Sequence, residues 1–411
     1  VPGEGHEDVG DEEEGNRVKL LLTYRYRLLP SKRQHRALFE LCEAQRQLYN
    51  AALEERIDCY RKTGKGVSYM DQCKSLTLCR RALPEMAGLP ANLQRWTLKQ
   101  LDGAFQGFFQ RAKARNGKSG FPRFRGKGRW DSFGFGEFSG IRLDGNRLRF
   151  GGMPSSLKVH LHRSLPEDAD IRSCVFRRDG QDWYVCLAVA VEPAEKRIVE
   201  GAVGLDLGLM TLAYLSDGVT IPNPQIARKA ERSQRIVQRR LSRCQRGSNR
   251  RRKVKGRLAR LHRKIADTRK SHLHATSAML VRNYDLIAIE ALNVKGLARS
   301  MLARSVHDAS WSTLIEMLRY KAARAGAHLI EVDPRFTSQD CSGCGERVAK
   351  LLSQRVHHCL TCGLILDRDE NAARNILVRA AGNGGWAGNV TRWGERRPGN
   401  IRRAPERESS I

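Results

Sequence analysis

The chain has 411 residues, 40% of them apolar, which is enough for two or three domains with separate hydrophobic cores. Its 74 lysines and arginines against 44 aspartates and glutamates give a formal net charge of +30, which predicts a polyanionic partner. No apolar run approaches the ~20 residues of a membrane-spanning helix, and no secretory signal opens the chain. We therefore expect an intracellular protein that binds nucleic acid and no membrane.

The first half of the chain predicts a β domain interrupted by helices. After an acidic, Gly-rich leader expected to be disordered (1–16), apolar and aromatic residues alternate from Val18 to Leu29 as in a half-buried strand. Ser31 and Gln34 then form a capping box that opens a helical region reaching about residue 115. Short strands follow from Gly120, and these observations together predict a barrel with a helical insertion.

Turns and aromatic spacing refine this prediction. Asp144-Gly145 and Asp179-Gly180 are typical of β-hairpin turns. Five apolar residues late in the helical region recur at helical spacing, which favours a core stripe over a base-stacking platform. They are Trp96, Leu98, Leu101, Phe105 and Phe108.

A third domain begins near Gly201 with two predicted strands between Ala202 and Val219. The segment from Arg228 to Lys270 then holds 19 lysines and arginines against Glu231 and Asp267. An apolar stripe within it predicts a basic helical hairpin. A solvated face is the alternative, but so many like charges favour a surface that binds phosphates.

Three acids stand in apolar surroundings far apart in the chain. Asp206 interrupts an apolar strand, Glu290 ends another, and Asp369 opens a helix. Each alone fits a solvated strand end or a helix cap. Together they indicate an RNase H-like sheet, in which two strands and a later helix bring such acids around two Mg²⁺ ions about 4 Å apart for phosphodiester hydrolysis.

The eleven cysteines are an odd number in a large chain, which predicts free thiols in a reducing compartment. Cys341-x2-Cys344 and Cys359-x2-Cys362, 14 residues apart and each followed by glycine, predict a zinc ribbon with a closed, structural Zn²⁺ site. His357 and His358 are alternative ligands. The remaining cysteines are expected to be small buried hydrophobes: Cys42, Cys59, Cys73, Cys79, Cys174, Cys186 and Cys244.

The order of these motifs resembles the TnpB family, over about residues 18 to 377. The resemblance is carried by Gly204-Leu205-Asp206-Leu207-Gly208, Ile289-Glu290-Ala291-Leu292-Asn293-Val294-Lys295-Gly296, Thr337-Ser338-Gln339-x-Cys341-Ser342-x-Cys344-Gly345 and Asp367-Arg368-Asp369-Glu370-Asn371-Ala372-Ala373. Two earlier blocks, Gly120-Phe121-Pro122-Arg123-Phe124 and Asp179-Gly180-Gln181-Asp182-Trp183-Tyr184-Val185, resemble it as well. The family often has Asp after the catalytic Glu, where this chain has Ala291.

This resemblance implies a multidomain α/β plus β fold: an RNase H-like (RuvC) nuclease domain with a zinc ribbon, and a wedge β-barrel with a helical recognition insertion. It implies a transposon-encoded, Mg²⁺-dependent endonuclease that takes a guide RNA derived from the transposon end and cuts double-stranded DNA beside a short target-adjacent motif. It places the third catalytic acid at Asp369 rather than Asp367. It also implies a prokaryotic cytoplasmic, nucleoid-associated protein related to type V CRISPR effectors.

The domain organisation that follows is an acidic leader (1–16), a split wedge barrel (17–30 and 120–198), a helical insertion (31–119), a split nuclease domain (199–335 and 364–379, with the basic hairpin at 224–272), a zinc ribbon (336–363) and a disordered tail (380–411). Two other functions remain open. One is an RNA-guided DNA-binding protein without cleavage, and the other is an unguided RuvC-like nuclease or zinc-ribbon adaptor acting on branched DNA.

Overall fold

A computed structural model describes residues 19–114, 120–166, 169–299, 301, 303–351 and 353–383. The predicted leader (1–16) and the tail beyond residue 383 lie outside these described residues. The chain divides into two compact units, Val1–Val191 and Glu192–Ile411, each described here by itself.

The first unit combines a seven-stranded antiparallel sheet with four helices. Its elements are β1 (Leu20–Leu29), α1 (Lys32–Thr63), α2 (Tyr69–Ala82), α3 (Pro84–Ala87), α4 (Ala91–Lys113), β2 (Ser132–Phe135), β3 (Ile141–Asp144), β4 (Arg147–Phe150), β5 (Leu157–His160), β6 (Asp170–Asp179) and β7 (Asp182–Val191). The strand order is β2-β6-β7-β1-β5-β4-β3. Both predicted hairpins are present, as β3-β4 and β6-β7.

Strand β1 precedes the helices in sequence but lies in the middle of the sheet. It pairs with β7 along its whole length and with β5 near its end, so Leu28 lies opposite both Trp183 and Val159. The capping box is confirmed, because Ser31 Oγ accepts the Gln34 N–H at 3.3 Å and Gln34 Oε1 accepts the Ser31 N–H at 2.8 Å. The helices α1 to α4 are therefore an insertion into the β domain.

The helical insertion has a core of its own. Leu98, Leu101 and Phe105 of α4 are buried against Tyr49 and Leu53 of α1, which confirms the core interpretation of the aromatic stripe at these positions. Trp96 and Phe108 are only half-buried.

The second unit is an α/β domain with a small ribbon inserted before its last helix. Its elements are β8 (Ala202–Leu207), β9 (Thr211–Leu215), β10 (Thr220–Pro222), α5 (Ile226–Ser242), α6 (Asn249–Asn283), β11 (Leu286–Glu290), α7 (Val294–Leu297), α8 (Ala303–Ala309), α9 (Trp311–Ala325), β12 (His328–Val332), β13 (Val356–His358), β14 (Ile365–Asp367) and α10 (Arg368–Asn383). Strands β8, β11 and β12 are parallel, and β9 and β10 add antiparallel strands beside β8.

The five-stranded sheet is covered on both faces, and side-chain alternation decides which helix each residue meets. One face packs on α6 and α9 through Val203, Leu205, Ile287 and Ile289. The other face packs on α10 through Ala202, Leu286 and Ala288, which contact Ile376 and Leu377.

The basic segment forms the predicted hairpin of α5 and α6. Six basic side chains of α5 are exposed: Arg228, Lys229, Arg232, Arg235, Arg239 and Arg240. None of the helices in the described part of the chain has both the length and the apolar composition that crossing a bilayer requires.

Two expectations are wrong. Residues 380 to 383 belong to α10, because Ala380 and Ala381 are small enough to pack fully buried against the sheet. Among the scattered cysteines only Cys42 and Cys174 are buried, whereas Cys79 is exposed and the other four are intermediate. None of the eleven, all within the described residues, forms a disulfide. Cys244 illustrates the reason, since its Sγ donates to the Arg240 carbonyl at an exposed helix end instead of packing in a core.

Gly204 lets α10 lie directly on β8. A Cβ at this position would stand 2.0 Å from the Ala373 carbonyl oxygen and 2.9 Å from the Leu377 nitrogen, both backbone atoms that no rotamer change can move. We expect Gly204→Ala to lower the free energy of unfolding by about 1–3 kcal/mol or more, as overpacking does. Chemical denaturation measures this.

Gly382→Ala in α10 is the control. A Cβ there meets nothing within 4 Å, so this variant should be neutral or gain about 0.4–1 kcal/mol. Equal stabilities of the two variants would show that the close approach of α10 to β8 is not a constraint.

Candidate active site

Asp206 and Glu290 lie on the face of the sheet that carries α10. Strands β8 and β11 pair in parallel with Leu286 opposite Ala202 and Ala288 opposite Gly204. Two residues further along both strands, the same register places Glu290 beside Asp206. Both acids therefore follow small or aliphatic residues packed under α10, at the carboxyl ends of neighbouring parallel strands.

A cleft of about 700 Å³ opens at this edge of the sheet. Asp206, Glu290 and Asp369 all line it, so the structure brings the three predicted acids together from β8, β11 and the first turn of α10. Other polar residues of the lining are Thr211, Tyr214, Thr337, Ser338, Arg355, Asp367 and Arg368.

The carboxyl group of Asp206 lies close to those of Glu290 and Asp369. Burial, together with the negative charges of Glu290 and Asp369, raises the pKa of Asp206 to about 8. An anion in such a place is stabilised by a cation, and oxygen donors are what Mg²⁺ prefers. The donor set thus fits a divalent cation.

Glu290 is buried and held by one hydrogen bond. Its side chain is 8% exposed, and Thr337 Oγ1 donates to Glu290 Oε1 at 2.5 Å. Burial raises the pKa of Glu290, while the Thr337 hydrogen bond acts in the opposite direction. The carboxylate is therefore oriented by the chain segment that leads into the first cysteine pair.

Asp369 contacts two guanidinium groups. Arg368 Nε lies 3.1 Å from Oδ1, and Arg355, which stands directly before β13, lies 3.3 Å from Oδ2. The neighbouring Asp367 has another partner, because its Oδ1 accepts the Asp369 backbone N–H at 2.8 Å and caps the first turn of α10.

The four predicted cysteines form one cluster. Their Sγ atoms all lie within 4.8 Å of one another, with Cys341 and Cys362 at 3.6 Å and Cys344 and Cys359 at 3.5 Å. A tetrahedral Zn²⁺ site with ~2.3 Å bonds requires S···S distances of about 3.8 Å, so the cluster fits a structural zinc ion. His357 is outside the cluster and contacts Lys350 instead.

The two cysteine pairs adopt the same type of turn. The Gly345 N–H donates to the Cys341 carbonyl and the Gly363 N–H to the Cys359 carbonyl, both at 2.9 Å. Both glycines have positive φ, 80° and 73°, a backbone conformation that favours glycine. This is why a glycine follows each pair.

Sequence reasoning missed three residues that contact the acids: Thr337, Arg355 and Arg368. Two of them flank or lie within the ribbon, and nothing in their spacing signals that the ribbon folds back on the cleft. Only the proximity of Thr337 and Arg368 to quoted motifs could have drawn attention to them.

The raised pKa of Asp206 gives a signed pH dependence of stability. Folded Asp206 keeps its proton to about pH 8, whereas an unfolded aspartate loses it near pH 4. The folded state thus binds more protons in this window, and metal-free stability falls as the pH rises through it. Asp206→Asn should be more stable than the parent by at least ~1 kcal/mol above pH 8 and should lose this advantage near pH 4.

Thermal unfolding between pH 4 and 8.5 in magnesium-free buffer measures this difference, at roughly 2–4 °C per kcal/mol. The exposed Asp267 provides the control, since Asp267→Asn removes an acid of the same unit away from the cleft. Parallel curves for the parent and Asp206→Asn would show that folding does not raise the pKa of Asp206.

Three family models match successive parts of the chain. A "Helix-turn-helix domain" model matches residues 20–65, a "Probable transposase" model residues 184–301, and a "Cas12f1-like, TNB domain" model residues 311–376. The second covers the strand that carries Asp206 and the strand that carries Glu290. The third covers the cysteine cluster and Asp369.

Similar proteins match over most of their length. A Streptomyces pristinaespiralis protein named "Putative RNA-guided DNA endonuclease" is 34% identical over 366 residues, covering 86% of this chain and 88% of the relative. An Escherichia coli K12 protein with the same designation, InsQ, is 28% identical over 381 residues, covering 88% and 92%.

The fold also matches a solved structure. The cryo-EM structure of a Cas12f1-sgRNA-target DNA complex aligns with a TM-score of 0.53 and 15% identity, covering 84% of this chain and 82% of that one. This chain therefore has the predicted fold class, a RuvC-like α/β domain with a zinc ribbon and a β domain with a helical insertion. Its fold, its motifs and the extent of its match to these relatives show that the chain belongs to the TnpB family.

Proposed function

We propose that this protein is an RNA-guided DNA endonuclease that cuts double-stranded DNA beside a short target-adjacent motif, with a guide RNA derived from the end of a transposon. One observation carries the proposal: Asp206, Glu290 and Asp369, from two strands and a helix, line one cleft. Relatives of the chain are named RNA-guided DNA endonucleases. The enzyme would act on the DNA of a prokaryotic cytoplasm.

Asp206, Glu290 and Asp369 would hold two Mg²⁺ ions. When bound, such a pair activates water and neutralises the leaving oxygen of a phosphodiester. Asp206 would be one of their ligands, since it lies close enough to Glu290 and Asp369 for the charges of both to raise its pKa. The four cysteines would hold Zn²⁺ with no open coordination position, so the ribbon serves structure rather than hydrolysis.

Arg355 and Arg368 supply the positive charge that the protein itself brings to the cleft. Both pair with Asp369. A guanidinium binds phosphate oxygens through paired N–H donors, so we infer that at least one of them turns to the scissile phosphate when Asp369 binds metal. Arg355 is the better placed, since its side chain is 60% exposed against 16% for Arg368.

The basic hairpin supports a nucleic-acid partner. A groove of about 730 Å³ runs along α5 and is lined by Arg228, Lys229, Arg232, Arg235 and Arg239. In the described part of the chain Glu231 is the acid of this groove, and it is paired with Arg235 and Arg304. The groove thus presents a positive surface along which a phosphate backbone can lie.

The two alternative functions are less well supported. A binding protein without cleavage has no need of three clustered acids. The raised pKa of Asp206 indicates that ionising this acid in the folded protein is unfavourable, so such a cluster would destabilise a protein that made no use of it. An unguided nuclease would leave the helical insertion of the first unit without a role.

The guide is tested by purifying the protein from cells that carry its native flanking DNA and sequencing any RNA that remains bound. We expect one defined RNA species, and cleavage of duplex DNA matching its guide in Mg²⁺ buffer. Equal cutting after the RNA is digested would instead establish an unguided nuclease. Guide-dependent DNA binding without any cutting would establish a binding protein.

Asp369 and Asp367 are distinguished by a matched pair of variants. Asp369→Asn should reduce the cleavage rate by more than about 100-fold, beyond the 10–100-fold typical of residues that only support a metal ligand. Asp367→Asn should cut at a rate within a few-fold of the parent, because an asparagine oxygen can still accept the Asp369 N–H. The reverse ranking would assign the third ligand to Asp367.

The α5 groove is tested by salt dependence. Arg232→Gln and Arg239→Gln should each weaken binding of a short DNA duplex and reduce the slope of log affinity against log salt by about 1, the effect of one lost phosphate contact. The control Arg319→Gln removes an exposed arginine that pairs with Glu316 and Glu331. Unchanged slopes for both groove variants would show that phosphates do not lie along α5.

A further inference from the structure

The contact between Thr337 and Glu290 links the segment before the zinc ribbon to the centre of the cleft. Both side chains are buried, 4% and 8% exposed, and the 2.5 Å hydrogen bond is made to Glu290 Oε1. A carboxylate whose one oxygen is fixed by a hydroxyl keeps a single orientation, with Oε2 left for a cation.

Thr337 is itself held by α10. Asn375 Nδ2 donates to the Thr337 carbonyl at 2.8 Å and to the Asp340 carbonyl at 2.7 Å, and Asn375 is only 9% exposed. One turn later, Arg379 donates to the carbonyls of Asp333 and Arg335 at 2.9 and 2.6 Å. The helix that carries Asp369 thus fixes the backbone on both sides of Thr337.

The same helix face also reaches the first cysteine pair. Asn371 Nδ2 donates to the Asp340 carbonyl at 2.8 Å, and its Oδ1 accepts the Ser342 N–H at 2.9 Å. Ser342 follows Cys341, and Asn371 stands two residues after Asp369. Asn371, Asn375 and Arg379 occupy one face of α10 at four-residue spacing.

The backbone before Thr337 has an uncommon conformation. Phe336 has φ of 60°, which a non-glycine residue rarely adopts and which persists only where surrounding contacts hold it. The Arg347 guanidinium lies 3.7 Å from the centre of the Phe336 ring. Such a conformation fixes the direction in which the next side chain, Thr337, leaves the backbone.

We propose that Thr337 is a positioning residue of the nuclease site: held by Asn375 of the helix that carries Asp369, its hydroxyl keeps Glu290 oriented to bind the catalytic metal. The inference rests on the proposed function for the identity of the site. It adds that the ribbon's leading segment controls metal affinity, so that the ribbon and two metal ligands form one hydrogen-bonded assembly.

The test compares Thr337→Val, which removes the hydroxyl at nearly constant volume, with Thr337→Ser, which retains it. Binding of Mg²⁺ to the RNA-loaded protein is measured by calorimetry, and the Mg²⁺ concentration for half-maximal cleavage is measured beside it. Thr337→Val should weaken Mg²⁺ binding about 10–100-fold, as loss of a partner of a metal ligand does, and Thr337→Ser should restore it to within a few-fold.

If Thr337 only stabilised the fold, Thr337→Val would lower stability and leave Mg²⁺ affinity unchanged. Thr276→Val removes a buried threonine hydroxyl from α6, so it controls for the general cost of such a change and should leave Mg²⁺ binding unaltered. Should Thr337→Val not fold, Thr337→Ala carries the same comparison. Parent-like Mg²⁺ affinity in a folded variant without the hydroxyl would overturn the proposal, whether or not the parent cuts DNA. Failure of the parent to cut guide-matched DNA would count against the proposed function alone.

Discussion

The concentration of negative charge under α10 is the constraint on which the second unit depends. Parallel pairing of β8 with β11 sets Asp206 beside Glu290, and the close contact at Gly204 brings the first turn of α10, with Asp369, to the same edge. Burial, and after it the negative charges of Glu290 and Asp369, raises the pKa of Asp206 to about 8. In the proposed function this cost is offset when the three acids bind divalent cations.

The rest of the unit compensates for this charge or holds it in place. Arg355 and Arg368 pair with Asp369, and Thr337 binds Glu290. Two of these three come from the ribbon and its leading segment, so this part of the chain contacts the cleft. Asn371, Asn375 and Arg379 make the hydrogen bonds that join this segment to α10.

Positive and negative side chains of the second unit are concentrated in different places. Part of the net charge of +30 lies on the exposed arginines and lysines of helix α5, whereas in the cleft Glu290 is buried and Asp206 and Asp369 are half-buried. A positive surface attracts a polyanion at long range, whereas the acids of the cleft attract a cation at short range. In the proposed nuclease this separation would let the chain bind nucleic acid over a wide surface and cut it at one place.

Local patterns in the sequence determined the alternating strand β1, the capping box at Ser31, both hairpins, the basic helices and the four-cysteine cluster, because each depends on neighbours within a few turns or on a fixed ligand spacing. The three acids were identified as candidates for the same reason, since each stands in a local apolar setting. Only the tertiary structure decided that they share a cleft, that Thr337 and Arg355 contact them, and that α10 continues through Ala380. It also left Cys79 exposed. Those features arise from packing between segments distant in the chain, and residue type and periodicity do not encode which segments will meet.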